Sequence, residues 1–504
     1  MKLIQHSDDR SEQDVDDEHS RMEWDLLARE ESLESVREEK EKLQRIRTKI
    51  NVLEEKLGGM KEEEPSLRTA LKTIFSWRNY SVYLITSWTF TAFSYMGLFY
   101  NLYLLELGWG YVLIGTVLSL MSAISATSRL IGGYVGDVSN RKHLSVIAMA
   151  MMAAYNLIMG IFVEFTWIII ALLFFSTMDV FKGGSTAYIM DNIPRKHSGL
   201  GISLFTAGRV FGIITLGVFV VLTQTMTFDS SLRLMFLIGG LFLVVTTIMR
   251  AILLEGKAPE TQREGVSLAR AFILENRKAA AILFRAVPGM IAIVVLDSLS
   301  DSLFKFGAYI YIYDDLGIQI PGLILMSMIT IMVSVPLLLG TGMLSDRRGE
   351  RNTAFIIYSI MPICALLLVI APWYTYWVPL SVVNQADSVF NGLGAVFSTP
   401  FLALVIKSVN DSLWYLLLLT IIQKNLPRRD TSKILSVFWF IVYMFSSIGP
   451  TIGGIVFDIF EQGYQLFIIV LLLNLIILGW IATKGLVRTT EEKDSIKDNG
   501  EMKT

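Results

Sequence analysis

Blocks of roughly 20 apolar residues alternate with shorter polar connections along most of the chain. A helix of this length crosses a hydrocarbon core roughly 30 Å thick, so each block predicts one membrane-spanning helix. Twelve blocks are present, at residues 80–105, 111–135, 144–163, 165–190, 200–224, 233–254, 285–312, 319–344, 353–371, 396–423, 434–460 and 464–484. The pattern predicts an all-α integral membrane fold of twelve transmembrane helices, numbered below as spans 1 to 12.

The connection between spans 9 and 10 is unusually long, at about residues 372–396. It contains Trp373, Tyr374, Tyr376 and Trp377, and such aromatic residues favour the interface between membrane and water. We therefore place this segment at the membrane surface, and the predicted number of spans depends on it more than on any other connection.

The first 70 residues are dense in charge and contain no apolar block, so they predict neither a signal peptide nor a span. Leu43, Ile46, Ile50, Leu53 and Leu57 recur at three- and four-residue spacings, which is typical of a coiled-coil seam. Two interpretations remain open: a solvated charged cytoplasmic helix, or a short coiled coil that self-associates or binds a protein partner.

The charges of the connections alternate in sign along the chain. The basic set is Arg141, Lys142, Arg195, Lys196, Lys257, Arg263, Arg270, Arg277, Lys278, Arg347, Arg348, Arg351, Arg428, Arg429 and Lys433. The acidic set is Glu106, Glu164, Asp229, Asp314, Asp315, Asp387 and Glu461. Because short loops rich in Lys and Arg remain in the cytoplasm, we expect the basic set and both termini on the cytoplasmic side of the cell membrane.

Similar segments follow matching spans in the two parts of the chain. Those after spans 2 and 8 are Gly133-Tyr-Val-Gly-Asp137-Val-Ser-Asn-Arg141-Lys142 and Gly342-Met-Leu-Ser-Asp346-Arg347-Arg-Gly349-Glu-Arg351, and those after spans 4 and 10 are Asn192-Ile-Pro-Arg-Lys and Asn425-Leu-Pro-Arg-Arg. The repetition predicts two six-helix pseudo-repeat halves, at residues 75–255 and 285–485. A charged cytoplasmic segment (1–70), a cytoplasmic linker (256–284) and a cytoplasmic tail (486–504) complete the predicted organisation.

The loops after spans 2 and 8 resemble the Gly-x-x-x-Asp-Arg-x-Gly-Arg-Arg/Lys motif of the major facilitator superfamily of transporters. The second copy matches the motif at Gly342, Asp346, Arg347, Gly349 and Arg351, whereas the first has Val138 for the first Arg and Asn140 for the second Gly. Asn tolerates a left-handed backbone better than most residues, so we expect Asn140 to preserve the turn. The resemblance covers about residues 75–485.

In that family this loop latches the cytoplasmic ends of the two halves together, and the resemblance implies the same role here. The implied gate residues are Gly133, Asp137, Arg141, Lys142, Gly342, Asp346, Arg347, Gly349 and Arg351, with Asp191 as a partner for Arg141. The alternative is that these charges only fix the topology and solvate the loops.

Ionisable residues inside the predicted spans are the candidates for substrate binding and proton coupling, because charges in hydrocarbon usually face a cavity or a partner. Asp297, Asp301 and Lys305 on span 7 recur every four residues and therefore share one helical face. The further candidates are Asp179 and Lys182 on span 4, Lys407 and Asp411 on span 10, Arg129 on span 2, Arg209 on span 5 and the neutral Asn101 on span 1. Each acidic–basic pair also has a purely structural interpretation, as a salt bridge that holds helices together.

Gly449-Pro450-Thr-Ile-Gly453-Gly454 in span 11 resembles a motif that drug–proton antiporters of the superfamily carry in their fifth helix. Here the motif lies in the second half, not in the fifth helix of the first, which favours a structural interpretation over antiport. Small residues permit close helix packing, and a proline permits a kink.

Several functional classes are excluded by what the sequence lacks. Cys364 is the single cysteine, and all four histidines lie outside the apolar blocks, so we predict no disulfide, metal site or cofactor. No phosphate-binding loop, potassium filter or catalytic constellation is found, so we predict no catalytic residue and no nucleic-acid partner. The prediction is a non-enzymatic secondary transporter of a small solute, working by alternating access with proton symport or antiport. The alternatives are a lipid flippase or lipid-modifying enzyme, and a membrane sensor that acts through the N-terminal helix.

Overall fold

The computed structural model describes residues 67–192, 198–256, 268–337, 350–425, 431–460 and 462–484. The predicted coiled-coil seam therefore lies outside the described residues. Within the described ranges the chain is helical apart from its turns and an isolated bridge between Tyr376 and Ser398.

The first group of helices coincides with predicted spans 1 to 6, and α1 (Leu67–Ser76) precedes it. The group consists of α2 (Arg78–Ser94), a 3-10 helix (Tyr95–Phe99), α3 (Tyr100–Glu106), α4 (Tyr111–Val138), α5 (Arg141–Ile161), α6 (Phe165–Thr177), α7 (Asp179–Asn192), α8 (Ser198–Ala207), α9 (Val210–Leu222) and α10 (Phe228–Leu253). Spans 4 and 5 each combine two short helices, and span 1 combines α2, the 3-10 helix and α3.

The second group coincides with predicted spans 7 to 12, and α11 (Leu268–Ala286) precedes it. It consists of α12 (Pro288–Asp314), α13 (Ile320–Leu337), α14 (Glu350–Tyr358), α15 (Ile360–Ile370), α16 (Leu380–Val389), a 3-10 helix (Leu393–Phe397), α17 (Thr399–Asn425), α18 (Thr431–Ser446), α19 (Gly449–Ile459) and α20 (Tyr464–Lys484). Spans 9 and 11 are interrupted here.

Eight of the described helical segments are long and apolar enough to cross a bilayer. A ninth is obtained when α11 and α12 are counted together, and the apolar helices at Val210–Leu222 and Ile320–Ser334 are shorter. The described chain is therefore an all-helical bundle with many apolar helices of membrane-spanning length.

The linker contains a helix that the sequence pattern did not predict. The axes of α11 and α12 differ by 102°, and the bend falls at Val287, directly before Pro288. A residue before proline is disfavoured in the α conformation, whereas proline itself suits the first turn of a helix. These two preferences explain why α11 ends and α12 begins at this point.

The two groups contact each other along α4 of the first group, which packs against both α18 and α19. Ser119 on α4 meets Thr451 on α19, with 2.7 Å between their hydroxyl oxygens. A Cβ at Gly454 would lie 2.4 Å from the carbonyl oxygen of Tyr111, so only glycine fits there. The glycine-rich segment of span 11 thus serves close packing between the two groups.

One end of the bundle carries acidic residues that join the two groups; we call it the acidic end. The Tyr313 hydroxyl donates to Glu106 at 2.7 Å, and the Tyr111 hydroxyl donates to Asp314. The backbone N–H of Gly463 donates to Asp315 at 2.5 Å within the second group. Burial raises the pKa of the Asp315 carboxyl above its usual value.

The opposite end, which we call the linker end, contains the start of α2, the end of α7 and the residues after α10. The Asn79 amide lies 3.4 Å from Asn192 Oδ1, and Asn79 Oδ1 accepts from the Glu255 N–H at 3.2 Å. These bonds are made within the first group, so they fix its helices to one another at this end.

Candidate functional site

A cavity of about 550 Å³ lies between the two groups of helices. Residues of spans 1, 2 and 5 line it from the first group, and residues of spans 7, 8, 10 and 11 line it from the second. The charged side chains of its wall are Arg209, Lys305, Lys407 and Asp411. All four were candidates from sequence, and the fold brings them to one space.

Four charged side chains of α12 and α17 form a network, which we call the charge ring. Lys407 Nζ lies 2.6 Å from Asp301 Oδ1, and Lys305 Nζ lies 2.6 Å from Asp301 Oδ2. Lys407 also donates to Asp411, and Lys305 lies 3.9 Å from Asp411. The ring contains two carboxylates and two ammonium groups, so its formal charges balance.

The helical spacing of the ring residues explains its shape. Asp301 and Lys305 are four residues apart on α12, and Lys407 and Asp411 are four residues apart on α17, so each pair shares a helical face. Lys407 is 6% exposed, whereas the Lys305 side chain is 63% exposed. Lys407 is therefore the buried centre of the ring, and Lys305 is its accessible edge.

Asp297 lies one helical turn from Asp301 but has different surroundings. Its Oδ1 accepts from the Tyr358 hydroxyl at 2.9 Å, and its Oδ2 accepts from the Trp414 indole N–H at 2.8 Å. Asn474 Oδ1 lies 3.1 Å from the same Tyr358 hydroxyl. Asp297 is buried among these neutral groups and does not belong to the cavity wall.

The remaining acidic candidate, Asp179, forms a second charged site within the first group. Its Oδ2 lies 2.6 Å from Arg129 Nε and accepts from the Ser125 hydroxyl. The Arg129 guanidinium lies 3.8 Å from the centre of the Tyr443 ring on α18, a cation–π geometry. Tyr443 belongs to the second group, so this site also joins the two groups.

The other three candidates lie around the first group. The Asn101 amide lines the cavity and donates to the Phe306 carbonyl at 3.1 Å. Arg209 lines the cavity at the break between α8 and α9. Lys182 Nζ lies 5.5 Å from the centre of the Phe90 ring.

The gate residues implied by the family motif are described only in part. Gly342, Asp346, Arg347 and Gly349 lie outside the described residues, as do the side chains of Asp137, Asp191 and Arg351. Gly133 lies on α4, and Arg141 and Lys142 form the start of α5. The proposed pairing of Arg141 with Asp191 stays a prediction.

The expected left-handed turn at Asn140 is wrong. Its φ and ψ are −64° and 114°, an extended conformation, and its side-chain oxygen accepts from the Lys142 N–H at 3.0 Å. Asn140 therefore acts as the N-cap of α5, a position that asparagine favours. The asparagine is explained by helix capping and not by a positive φ.

Sequence reasoning missed the neutral partners of the charged residues. Asp297 accepts from Tyr358 and Trp414, and Asn474 accepts from Tyr358. Arg129 lies over the ring of Tyr443. Each of these contacts comes from a different helix. These neutral partners stand in apolar blocks, so no local spacing connects them to the charged residues.

Within the described ranges, no group of three or more His, Cys, Asp or Glu side chains is placed to hold a metal ion.

The model of the Major Facilitator Superfamily matches residues 33–216 and 82–413, which together span well over half of the chain. A comparison with curated protein sequences gives no significant match.

The fold is similar to those of several solved transporters. The nucleoside transporter NupG has a TM-score of 0.58 at 14% identity, covering 80% of this chain and 98% of NupG. A POT family transporter in complex with 5-aminolevulinic acid has a TM-score of 0.60 at 11% identity, covering 80% and 95%. A D-xylose-proton symporter has a TM-score of 0.55 at 14% identity, covering 82% and 98%. At these identities the likeness establishes a shared fold.

Proposed function

The chain belongs to the major facilitator superfamily, and on that premise we propose that it moves a small solute across the membrane by alternating access of two six-helix halves. The observation that carries this proposal is the charge ring at the wall of a cavity of about 550 Å³ between the two groups of helices. Small-molecule sites are concave and contain a few convergent polar groups, and transporters of this kind bind near the bilayer midplane between repeats.

Twelve spans and two pseudo-repeat halves are part of the same proposal. The short helices coincide with predicted spans where the chain breaks, as at Gly208 and Arg209 between α8 and α9. Two short helices in series cross the same thickness as one long helix, so an interrupted span can still traverse the bilayer. Discontinuous helices near a cavity are also common in transporters.

We expect the linker end to face the cytoplasm and the acidic end to face the outside, as the loop charges predict. The contacts of Tyr313 with Glu106 and of Tyr111 with Asp314 then join the halves at the outer end. An outward-open state requires both contacts to break. We propose the segments around Asp137 and Asp346 as the matching latch on the cytoplasmic side.

Proton coupling is proposed for the carboxylates of spans 7 and 10. A proton that neutralises Asp301 or Asp411 removes one of the two anionic partners of Lys407, so protonation changes what the ring can bind. Asp297 can take up a proton while keeping neutral hydrogen-bond partners. The D-xylose-proton symporter among the structural neighbours supports this mode of coupling.

Reconstitution of the purified protein into liposomes tests transport. A thermal-stabilisation screen against metabolites and drugs first supplies a ligand, and its uptake is then measured with and without an imposed pH gradient. Accumulation that requires both the protein and the gradient is expected. Conversion of a lipid, or binding without transport, would instead support one of the two alternative functions.

Orientation is tested by tags at the N-terminus, in the linker at 257–280 and at the C-terminus, all of which should report cytoplasm. A tag in the 373–395 connection should report the outside. An external N-terminus would contradict the orientation, and a cytoplasmic 373–395 segment would contradict the number of spans.

A further inference from the structure

The two walls of the cavity differ in charge. On the wall of the second group, the charge ring contains as many carboxylates as ammonium groups. On the wall of the first group, Arg209 makes no ion pair with any side chain in the described part of the chain. Asp297, one turn from Asp301 on α12, is buried, accepts from Tyr358 and Trp414, and does not line the cavity. The first wall therefore presents a cation without a counter-charge.

The backbone around Arg209 is built to hold that side chain at the cavity. The helix is interrupted there, and the N–H groups of Phe211 and Gly212 bond to carbonyls only three residues back, at 3.1 and 3.0 Å. A Cβ at Gly208 would lie 2.2 Å from a Trp88 ring carbon, so span 1 packs directly against this segment. Gly208 therefore faces span 1, whereas the side chain of the next residue, Arg209, lines the cavity.

On the wall formed by the second group, most hydroxyl groups donate their hydrogen to a backbone carbonyl oxygen and not into the cavity. Ser327, Thr330 and Ser412 donate to carbonyl oxygens of their own helices at 2.8, 2.7 and 3.0 Å. Each hydroxyl oxygen keeps acceptor capacity after this donation. A solute in the cavity therefore meets hydrogen-bond acceptors on one wall and a guanidinium donor on the other.

We propose, building on the transport function above, that the solute carries a carboxylate or phosphate group bound by Arg209 and has hydroxyl or amino groups elsewhere. A guanidinium presents paired N–H donors that match two oxygens of such an anion. The serine and threonine oxygens accept from the solute's remaining O–H or N–H groups. A neutral solute would leave Arg209 without an anionic partner inside the membrane, which is costly.

The charge of the cavity can be measured without knowing the solute. In a Cys364→Ala background, Ser122→Cys places a thiol on the cavity wall. Its modification rates with an anionic sulfonatoethyl and a cationic trimethylammonioethyl methanethiosulfonate give a ratio that reports the local potential. We expect Arg209→Gln to lower the anion-to-cation ratio by about tenfold, and Arg209→Lys to leave it nearly unchanged. An unchanged ratio in Arg209→Gln overturns the proposal.

The solute class is tested by uptake of matched pairs into proteoliposomes. The pairs are galacturonate with galactose, glucose 6-phosphate with glucose, and glutamate with glutamine, so the carboxylate and phosphate arms are separate. We expect an anionic member to be taken up and its half-saturation concentration to rise about tenfold or more in Arg209→Gln. Uptake of neutral members alone overturns the proposal. If the cysteine ratio responds to Arg209→Gln and no solute is transported in any pair, the anion site stands and the transport function fails.

Discussion

Asp297 and Asp301 stand one turn apart on α12, yet they are stabilised in different ways. Asp301 is held by the ammonium groups of Lys305 and Lys407, each at 2.6 Å. Asp297 is held by the neutral donors of Tyr358 and Trp414. One carboxylate is therefore paired directly with opposite charge, whereas the other is hydrogen-bonded to neutral groups.

The difference decides what a change of charge does at each position. Neutralising Asp301 leaves the two lysines with Asp411 as their remaining carboxylate in the ring, and incompletely compensated buried charge is destabilising. Neutralising Asp297 leaves no cation behind, because its partners are neutral and one of them, Tyr358, has a second acceptor in Asn474. Asp297 is thus the carboxylate that can change charge while the helices stay packed.

The largest expected effect is on the buried centre of the ring. Lys407→Met leaves Asp301 and Asp411 with Lys305 as their remaining cation, and we expect a loss of about 3–5 kcal/mol in the free energy of unfolding. The melting temperature in detergent measures it. The double change Lys407→Met/Asp301→Asn should recover part of the loss, and a double variant that is less stable than the single one would contradict the ring.

The next effect concerns the neutral donors around Asp297. Trp414→Phe removes the indole N–H and leaves Asp297 Oδ2 without its donor, which should cost about 1–3 kcal/mol. Trp439→Phe on α18 is the matched control, because that indole stacks on Tyr415 and contacts no carboxylate among the described residues. Equal loss of melting temperature in the two variants would mean that the hydrogen bond to Asp297 contributes nothing.

A smaller effect is expected at the accessible edge of the ring. Lys305→Ala leaves Asp301 paired with Lys407, and the Lys305 side chain is 63% exposed. Its removal should cost no more than about 1 kcal/mol, as for other exposed ion pairs. A melting temperature as low as that of Lys407→Met would show that Lys305 and Lys407 contribute equally to stability.

The smallest effect on folding is expected for Asp297→Asn. The new amide oxygen accepts from Trp414, and its N–H donates to Tyr358, whose hydroxyl turns to Asn474, so stability should change by about 1 kcal/mol or less. Transport should respond differently: accumulation driven by a pH gradient is lost, whereas exchange across the membrane is kept. If Asp297→Asn still accumulates solute in a pH-dependent way, Asp179 or Asp411 becomes the next candidate for the coupling carboxylate.

The sequence predicted helix positions and local pairs well, because both depend on residues close together in the chain. The pairing of Asp301 with Lys305 follows from their four-residue spacing. The partner of Asp179 did not follow in this way: the chain breaks between α6 and α7, and Asp179 pairs with Arg129 of α4 at 2.6 Å. Packing between helices decides such partners, and a single sequence does not contain it.

The neutral surroundings of Asp297 were beyond prediction for the same reason. Tyr358 and Trp414 are separated from Asp297 by 61 and 117 residues. Aromatic residues of this kind are common in apolar blocks, so nothing in their local pattern distinguishes a hydrogen-bond donor from a packing residue. The sequence located the carboxylate, and the fold determines how it is stabilised.

The charge ring also has a consequence for how the chain is made. Span 7 enters the membrane with Asp297, Asp301 and Lys305, each of which opposes insertion by roughly 2.5–3.5 kcal/mol near the centre of a helix. Its principal partner, Lys407, is synthesised about a hundred residues later. We therefore expect newly made span 7 to remain at the insertion machinery until span 10 emerges, so that the two charged helices enter the lipid together.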